Sequence, residues 1–254
     1  MNSLKIVYLE PKYLFSSSIS LDPNIPKIDL VFAISATSAS FQQSYELMKN
    51  TVKKFIDTYG VNKIHYSVIV YGNQVIRVVN FNRTFPLSAN ELKTAIDRQP
   101  ALPGGPVLTN ALQEAYRVFK ESVGRSGAKK VLVVITDRNS GSSTNSLSQA
   151  VRPLEDLGVL VISIGVGNEV SRSELNIISP NPLDVISARL NINPSVLAVR
   201  IMERILRRKP FRSALLRQYC FIAIAAINVV VASQKMSSLY PVTLNLMCSL
   251  SVLL

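Results

Sequence analysis

The sequence predicts an α/β fold of the Rossmann-like, doubly wound kind: a mainly parallel six-stranded sheet with one antiparallel edge strand and helices on both faces. Three observations carry this expectation. Apolar runs rich in β-branched residues recur at Ile28 to Ser35, Ile64 to Tyr71, Val75 to Phe81, Lys130 to Thr136 and Val159 to Val166, and such continuous runs suit strands covered on both faces. Amphipathic segments of helix length lie between them. Tyr71-Gly72-Asn73-Gln74 joins two runs too closely for a crossover, so that pair is expected as an antiparallel hairpin.

Each element follows in order. Residues 1–27 hold Pro11, Pro23, Pro26 and a Ser16-Ser17-Ser18 cluster without an apolar period, the pattern of an irregular leader. From about Phe41 to Tyr59, the residues Tyr45, Met48, Val52, Phe55 and Ile56 repeat at helical spacing and stop at Gly60, a C-cap residue. Ser88 with Glu91 makes a capping box for a short helix through Arg98. Further helices are expected from about Val107 to Ser122 and from about Asn145 to Leu157. After Gly167, Ser171 with Glu174 starts another short helix, Asp184 to Ala188 forms the last strand, and Ser195 to Arg208 a closing helix.

Composition sets the outer bounds. The chain has 254 residues, 48% of them hydrophobic, enough for one well-cored domain with sequence to spare. The net charge is +12, but residues 1–203 carry 21 basic and 16 acidic side chains, a net +5, and the excess lies after Glu203. A basic surface of this kind suits an anionic polymer, a matrix glycan or a lipid headgroup, or is an ordinary solvated face. Cys220 and Cys248 both lie in the terminal tail, so the domain has no disulfide framework and no thiolate metal site. Charge at Lys5, Glu10 and Lys12 interrupts the N-terminus before any signal-peptide length is reached, so the domain is either intracellular or a piece of a longer secreted chain.

The segments IDLVFAISATSAS (Ile28 to Ser40), HYSVIVYG (His65 to Gly72), GGPVLTNALQEAYRVF (Gly104 to Phe119), KKVLVVITD (Lys129 to Asp137) and GVLVISIGVG (Gly158 to Gly167) occur in this order. Together they resemble the von Willebrand factor A family, especially its extracellular-matrix branch of matrilins and collagen VI, over residues 28–208. The resemblance implies a metal-ion-dependent adhesion site at the carboxyl ends of the parallel strands. The family builds it from an Asp-x-Ser-x-Ser loop, a Thr in the Gly-rich loop and an Asp after the fourth strand. Here Ser35, Thr37 and Ala39 occupy the first three positions, Pro106 the fourth, and Asp137 keeps the last carboxylate. A small register shift around Thr109 or Ser38 restores one hydroxyl but not the first Asp. A hard cation such as Mg²⁺ wants oxygen ligands carrying enough carboxylate charge to offset its dehydration, so a degenerate site is expected, with no cofactor beyond weak Mg²⁺. Asp137, Ser35 and Thr37 equally suit strand-end and capping roles.

Other chemistry is excluded or faint. His65 is the single histidine and begins a strand, which leaves one base for any Ser-His-Asp arrangement. Gly104-Gly105 lacks the Gly-Lys-Ser/Thr of a phosphate loop. Asn82-Arg83-Thr84 fits the N-glycosylation pattern of a secreted protein. Residues 209–254 turn basic and then apolar, with a candidate membrane segment at about 215–233 that carries Asn228; the alternatives are a tail packed in a larger assembly or an unnatural terminus. The expected function is a non-enzymatic adhesion module, extracellular, binding a matrix or cell-surface protein largely without metal and no specific nucleic acid. The alternatives are a membrane-anchored or intracellular scaffold and a weakly Mg²⁺-dependent adhesion domain.

Overall fold

The computed structural model describes residues 25–36, 42–80, 87–122 and 125–207. The leader through residue 24, the tail from residue 208 with both cysteines and the candidate membrane segment, and Asn82 all lie outside the described residues. Among the described residues, no helix is long and apolar enough to cross a membrane.

Strand β1 (Ile28–Ser35) is buried at every position, because it runs down the middle of the sheet with a neighbour on either side. In parallel register it pairs with β2 (Ile64–Tyr71) and with β4 (Lys129–Arg138), Ile28 lying opposite Ile64 and Lys129. The full order is β3-β2-β1-β4-β5-β6, with β5 (Leu160–Glu169) and β6 (Val185–Ala188) also parallel. Only β3 (Val75–Val79) is antiparallel, paired to β2 at the edge as the short connection requires.

Strand alternation divides the core into two. Leu30, Phe32 and Ile34 face α1 (Gln42–Tyr59) and α6 (Pro194–Leu206), packing with Met48, Val52, Phe55, Leu197 and Ile201. Val31 and Ala33 face α3 (Leu108–Glu121) and α4 (Thr144–Asp156), packing with Leu112, Ala115, Leu147 and Leu154. Phe55 anchors the first layer: its ring stands edge-on to Phe32 at 5.4 Å and to Tyr66 at 6.3 Å, and lies 4.7 Å from Tyr59.

The smaller elements follow their local signals. Ser88 and Glu91 close the expected capping box on α2 (Ala89–Asp97), and Ser171 caps α5 (Arg172–Ile178). Strand β4 runs two residues beyond its expected end, since a register irregularity after Thr136 lets Arg138 pair with Glu169. Strand β3 ends at Val79, short of Phe81. Its exposed edge carries Arg77, paired with Glu114 and Glu121 of α3 at 2.6 Å each; a charged side chain of this kind discourages pairing with another chain's strand.

Two predictions follow from this core. Phe55→Ala should cost about 3–5 kcal/mol of stability, measured by denaturant unfolding, because a fully buried ring that touches both β1 and β2 is removed. His65 is held below its ordinary value, first by burial and then by neighbouring Arg125, with Asp29 partly opposing them. A histidine that binds its proton less readily in the folded state contributes stability above its unfolded value of about 6.5, lost as pH falls below it. An NMR titration of this single imidazole should therefore place its midpoint below 6.5.

Candidate functional site

Five parallel strands end, at Ser35, Tyr71, Arg138, Glu169 and Ala188, on the carboxyl edge of the sheet. The chain leaving β1 is tied down at once: Ala36 N–H donates to the Tyr71 carbonyl at 2.8 Å, and its own carbonyl accepts from Leu102 N–H at 2.6 Å. The Gly-rich loop folds back onto the β2–β3 turn, with Asn73 N–H donating to the Pro103 carbonyl at 3.2 Å and Val107 N–H to the Gly72 carbonyl at 2.8 Å. Gly72 permits this approach, since a Cβ there would lie 2.7 Å from that of Leu102.

Asp137 sits at the centre, only 4% exposed. One carboxylate oxygen accepts from the Ser35 hydroxyl at 3.2 Å and the other from the Ser44 hydroxyl at 2.5 Å. The Arg138 Nε lies 3.7 Å from the first oxygen. A buried carboxylate costs several kcal/mol to desolvate unless its lone pairs are filled, and here a hydroxyl reaches each oxygen while a guanidinium supplies opposite charge. Beneath the site, buried Tyr71 donates to the Ile135 carbonyl at 3.3 Å. Desolvation pushes its phenol far above the ordinary range, so it is a neutral donor at every physiological pH.

Ser35 and Asp137 are thus brought together. Pro106 is buried in its loop and offers no side-chain oxygen. Thr109, in the first turn of α3, lines a groove of about 410 Å³ between α3 and α4 with Gln113, Tyr116, Ser146 and Gln149. Thr37 lies outside the described residues, as do Ser38 and Ala39. Among the described residues, no group of three or more His, Cys, Asp or Glu side chains is placed to hold a metal. His65, at the amino end of β2, stands opposite Asp29 in β1 and so lies at the other end of the sheet from Asp137.

Two participants escaped sequence reasoning. Ser44 is one, and its signal is positional: it falls on the buried face of α1, four residues before Met48, where a polar side chain must have a partner. Glu174 is the other. Its backbone N–H donates to the Ser171 hydroxyl as a capping pair predicts, but its carboxylate turns away from the cap. It accepts instead from Ser140 N–H at 3.0 Å and the Ser140 hydroxyl at 3.1 Å, in a setting 7% exposed. Ser140 in turn accepts from Ser142 N–H, and the Asn139 side chain from Gly141 N–H at 2.8 Å. The polar loop after β4 is therefore held in one shape by its own hydrogen bonds and by Glu174.

This geometry belongs to a known class. The family model for the von Willebrand factor type A domain matches residues 29–192, and the chain belongs to that family. It is 29% identical to matrilin-1 of Homo sapiens over 163 residues, which are 61% of this chain and 31% of the relative. It is 29% identical to the collagen alpha-4(VI) chain of Mus musculus over 145 residues, 56% of this chain and 6% of the relative. The chain thus spans less than a third of these relatives. Among solved structures it resembles proximal thread matrix protein 1 from the mussel byssus, described with a zinc-occupied MIDAS motif. That likeness has a TM-score of 0.60 and 23% identity over 70% of this chain and 45% of the other. A von Willebrand factor type A protein from Catenulispora acidiphila aligns with a TM-score of 0.58 and 20% identity, over 70% of this chain and 42% of the other.

The Glu174 clamp makes a testable claim. Glu174→Ala leaves Ser140 without its acceptor, so amide hydrogen exchange across Asn139 to Ser143 should rise by roughly tenfold or more, as expected for loss of about 1.5–3 kcal/mol of hydrogen bonding to a charged group. Exchange in β1 should stay unchanged.

Proposed function

We propose that residues 28–208 form a non-enzymatic adhesion module of an extracellular matrix protein, which binds protein partners through the carboxyl-edge loops and does not depend on a metal. The matrix relatives support the setting and the class of partner. The observation that carries metal independence is the closed state of Asp137. Its two oxygens are already engaged by Ser35 and Ser44, and the aligned positions Ser35, Thr37, Ala39 and Pro106 add no second carboxylate and only two hydroxyls. A dication entering here would break both hydrogen bonds and gain one carboxylate, a poor exchange for a strongly hydrated ion. The adhesion site is therefore degenerate: a hydrogen-bonded remnant that braces α1 against β1 and β4.

Recognition then falls to neutral and cationic groups along this edge: Arg138, the ordered loop Asn139 to Thr144, and Thr109 at the mouth of the α3–α4 groove. Catalysis has no support, because His65 and Asp137 occupy opposite ends of the sheet and cannot share a reacting atom. A glycan on Asn82 accords with the extracellular setting.

Calorimetric titration of Mg²⁺ and Mn²⁺ tests the central point. The expected result is no saturable heat at millimolar metal, and retention on immobilised matrix extract that EDTA leaves unchanged. Saturable binding that vanishes in Asp137→Ala would overturn metal independence. Asp137→Ala should also be less stable by about 1–3 kcal/mol, since it leaves the buried hydroxyls of Ser35 and Ser44 without their acceptor.

A further inference from the structure

Helices α3 and α4 lie side by side on one face of the sheet and leave between them the groove of about 410 Å³, a size within the range of small-ligand sites. Both helices start at the carboxyl edge. Their groove residues repeat at helical spacing, with Thr109, Gln113 and Tyr116 on α3 facing Ser146, Gln149 and Pro153 on α4. From Thr109 to Tyr116 the groove extends about 10 Å along the helix axis.

The lining is uncharged and rich in open hydrogen-bonding groups. Among the described residues, the side chains of Thr109, Gln113, Tyr116 and Gln149 make no hydrogen bond, while Ser146 is committed to the Ser143 carbonyl at 2.8 Å. Pro153 adds a backbone acceptor. It stands inside α4 without an N–H, so the Gln149 carbonyl loses the donor that a regular helix would bring it. The aromatic wall is held in place: Tyr116 is half-buried against the core layer beneath, and the Lys120 ammonium stands over its ring, 5.6 Å from the centroid. Other charges on the two helices are directed elsewhere. Glu114 is bonded to Arg77 of β3 and to Arg117, and Arg152, Glu155 and Asp156 are exposed on α4 without lining the groove.

We propose that this groove binds an uncharged saccharide of about disaccharide length. Sugar hydroxyls both donate and accept, and so do the two amides and the hydroxyls that line the walls. The C–H faces of a sugar ring need apolar surface, which the Tyr116 ring, Ala150 and Pro153 supply. Two other ligand classes fit less well. A docked amphipathic helix needs a continuous apolar stripe, and Ala150 with Pro153 is too little of one. A sulfated sugar or a nucleotide brings anionic groups that ask for paired cations, whereas Lys120 is the one cation set at the groove and already lies on the Tyr116 ring. The reading goes beyond protein recognition at the carboxyl edge and does not rest on it, since the groove runs along the helices away from Asp137.

The test is saturation-transfer NMR on the full chain with lactose, maltose and N,N′-diacetylchitobiose, and with a heparin-derived disaccharide and an uncharged Gly-Ser peptide as competitors. At least one of the three neutral sugars should bind saturably with a Kd of about 1 mM or tighter. Gln113→Ala combined with Gln149→Ala changes two exposed side chains, so the melting temperature should hold while affinity falls by about tenfold or more. The matched pair Gln42→Ala with Gln43→Ala, exposed on α1 across the sheet, should change affinity by less than about twofold. Tyr116→Phe keeps the packed ring and removes only the hydroxyl; it should weaken binding by about threefold or more, and it decides the matter should the glutamine pair lower the melting temperature. The proposal is overturned by no saturable binding of any neutral sugar up to about 10 mM, by full affinity in the groove variants, or by equal loss in the α1 control. Displacement of the sugar by the heparin disaccharide or the peptide as effective as by the sugar itself overturns it as well.

Discussion

A strand buried on both faces and bonded on both edges has no freedom to slip, and β1 is such a strand. A shift of one residue would exchange Leu30, Phe32 and Ile34 with Val31, Ala33 and Ser35 between two differently shaped layers. The register with β2 and β4 is fixed accordingly, and so is the height of every neighbour along it. Two polar residues near the ends of this strand, Asp29 and Ser35, are thereby carried into nearly water-free positions. Each must be satisfied by something brought from far along the chain. Arg125 arrives 96 residues later for Asp29, and Asp137 arrives 102 residues later for Ser35.

The two solutions differ in chemistry, and that difference separates the two edges of the domain. At the amino end, a guanidinium meets a carboxylate, with Arg125 2.8 Å from Asp29. At the carboxyl end, the carboxylate is met chiefly by hydroxyls, with Arg138 at the longer distance of 3.7 Å. Glu174, committed to the loop after β4, adds a second buried acid close by. One edge is thus closed over an ion pair, while the other is a hydrogen-bonded polar surface with its acids turned inward.

Much of the fold was legible because its signals are local. Continuous β-branched runs marked the strands, the four-residue link forced the hairpin, and Ser88 with Glu91 marked a helix start. Ser35, Pro106 and Asp137 could be placed because each follows directly from a strand or a glycine pair. Ser44 and the carboxylate of Glu174 could not, since their partners are fixed by tertiary packing. The Ser171–Glu174 spacing is a correct start signal, and half of the pair behaves as a cap. Ser140 then outcompetes the cap backbone for the carboxylate by offering two donors where the cap offers one.

The spacing of the two edges bears on whether they interfere. Eight strand residues at about 3.3 Å each separate them by about 26 Å, some three times the roughly 8 Å screening length at physiological ionic strength. Solvent-exposed charges at one edge therefore exert little field at the other. The element between them, β1, is buried at every position and paired with a strand on either side.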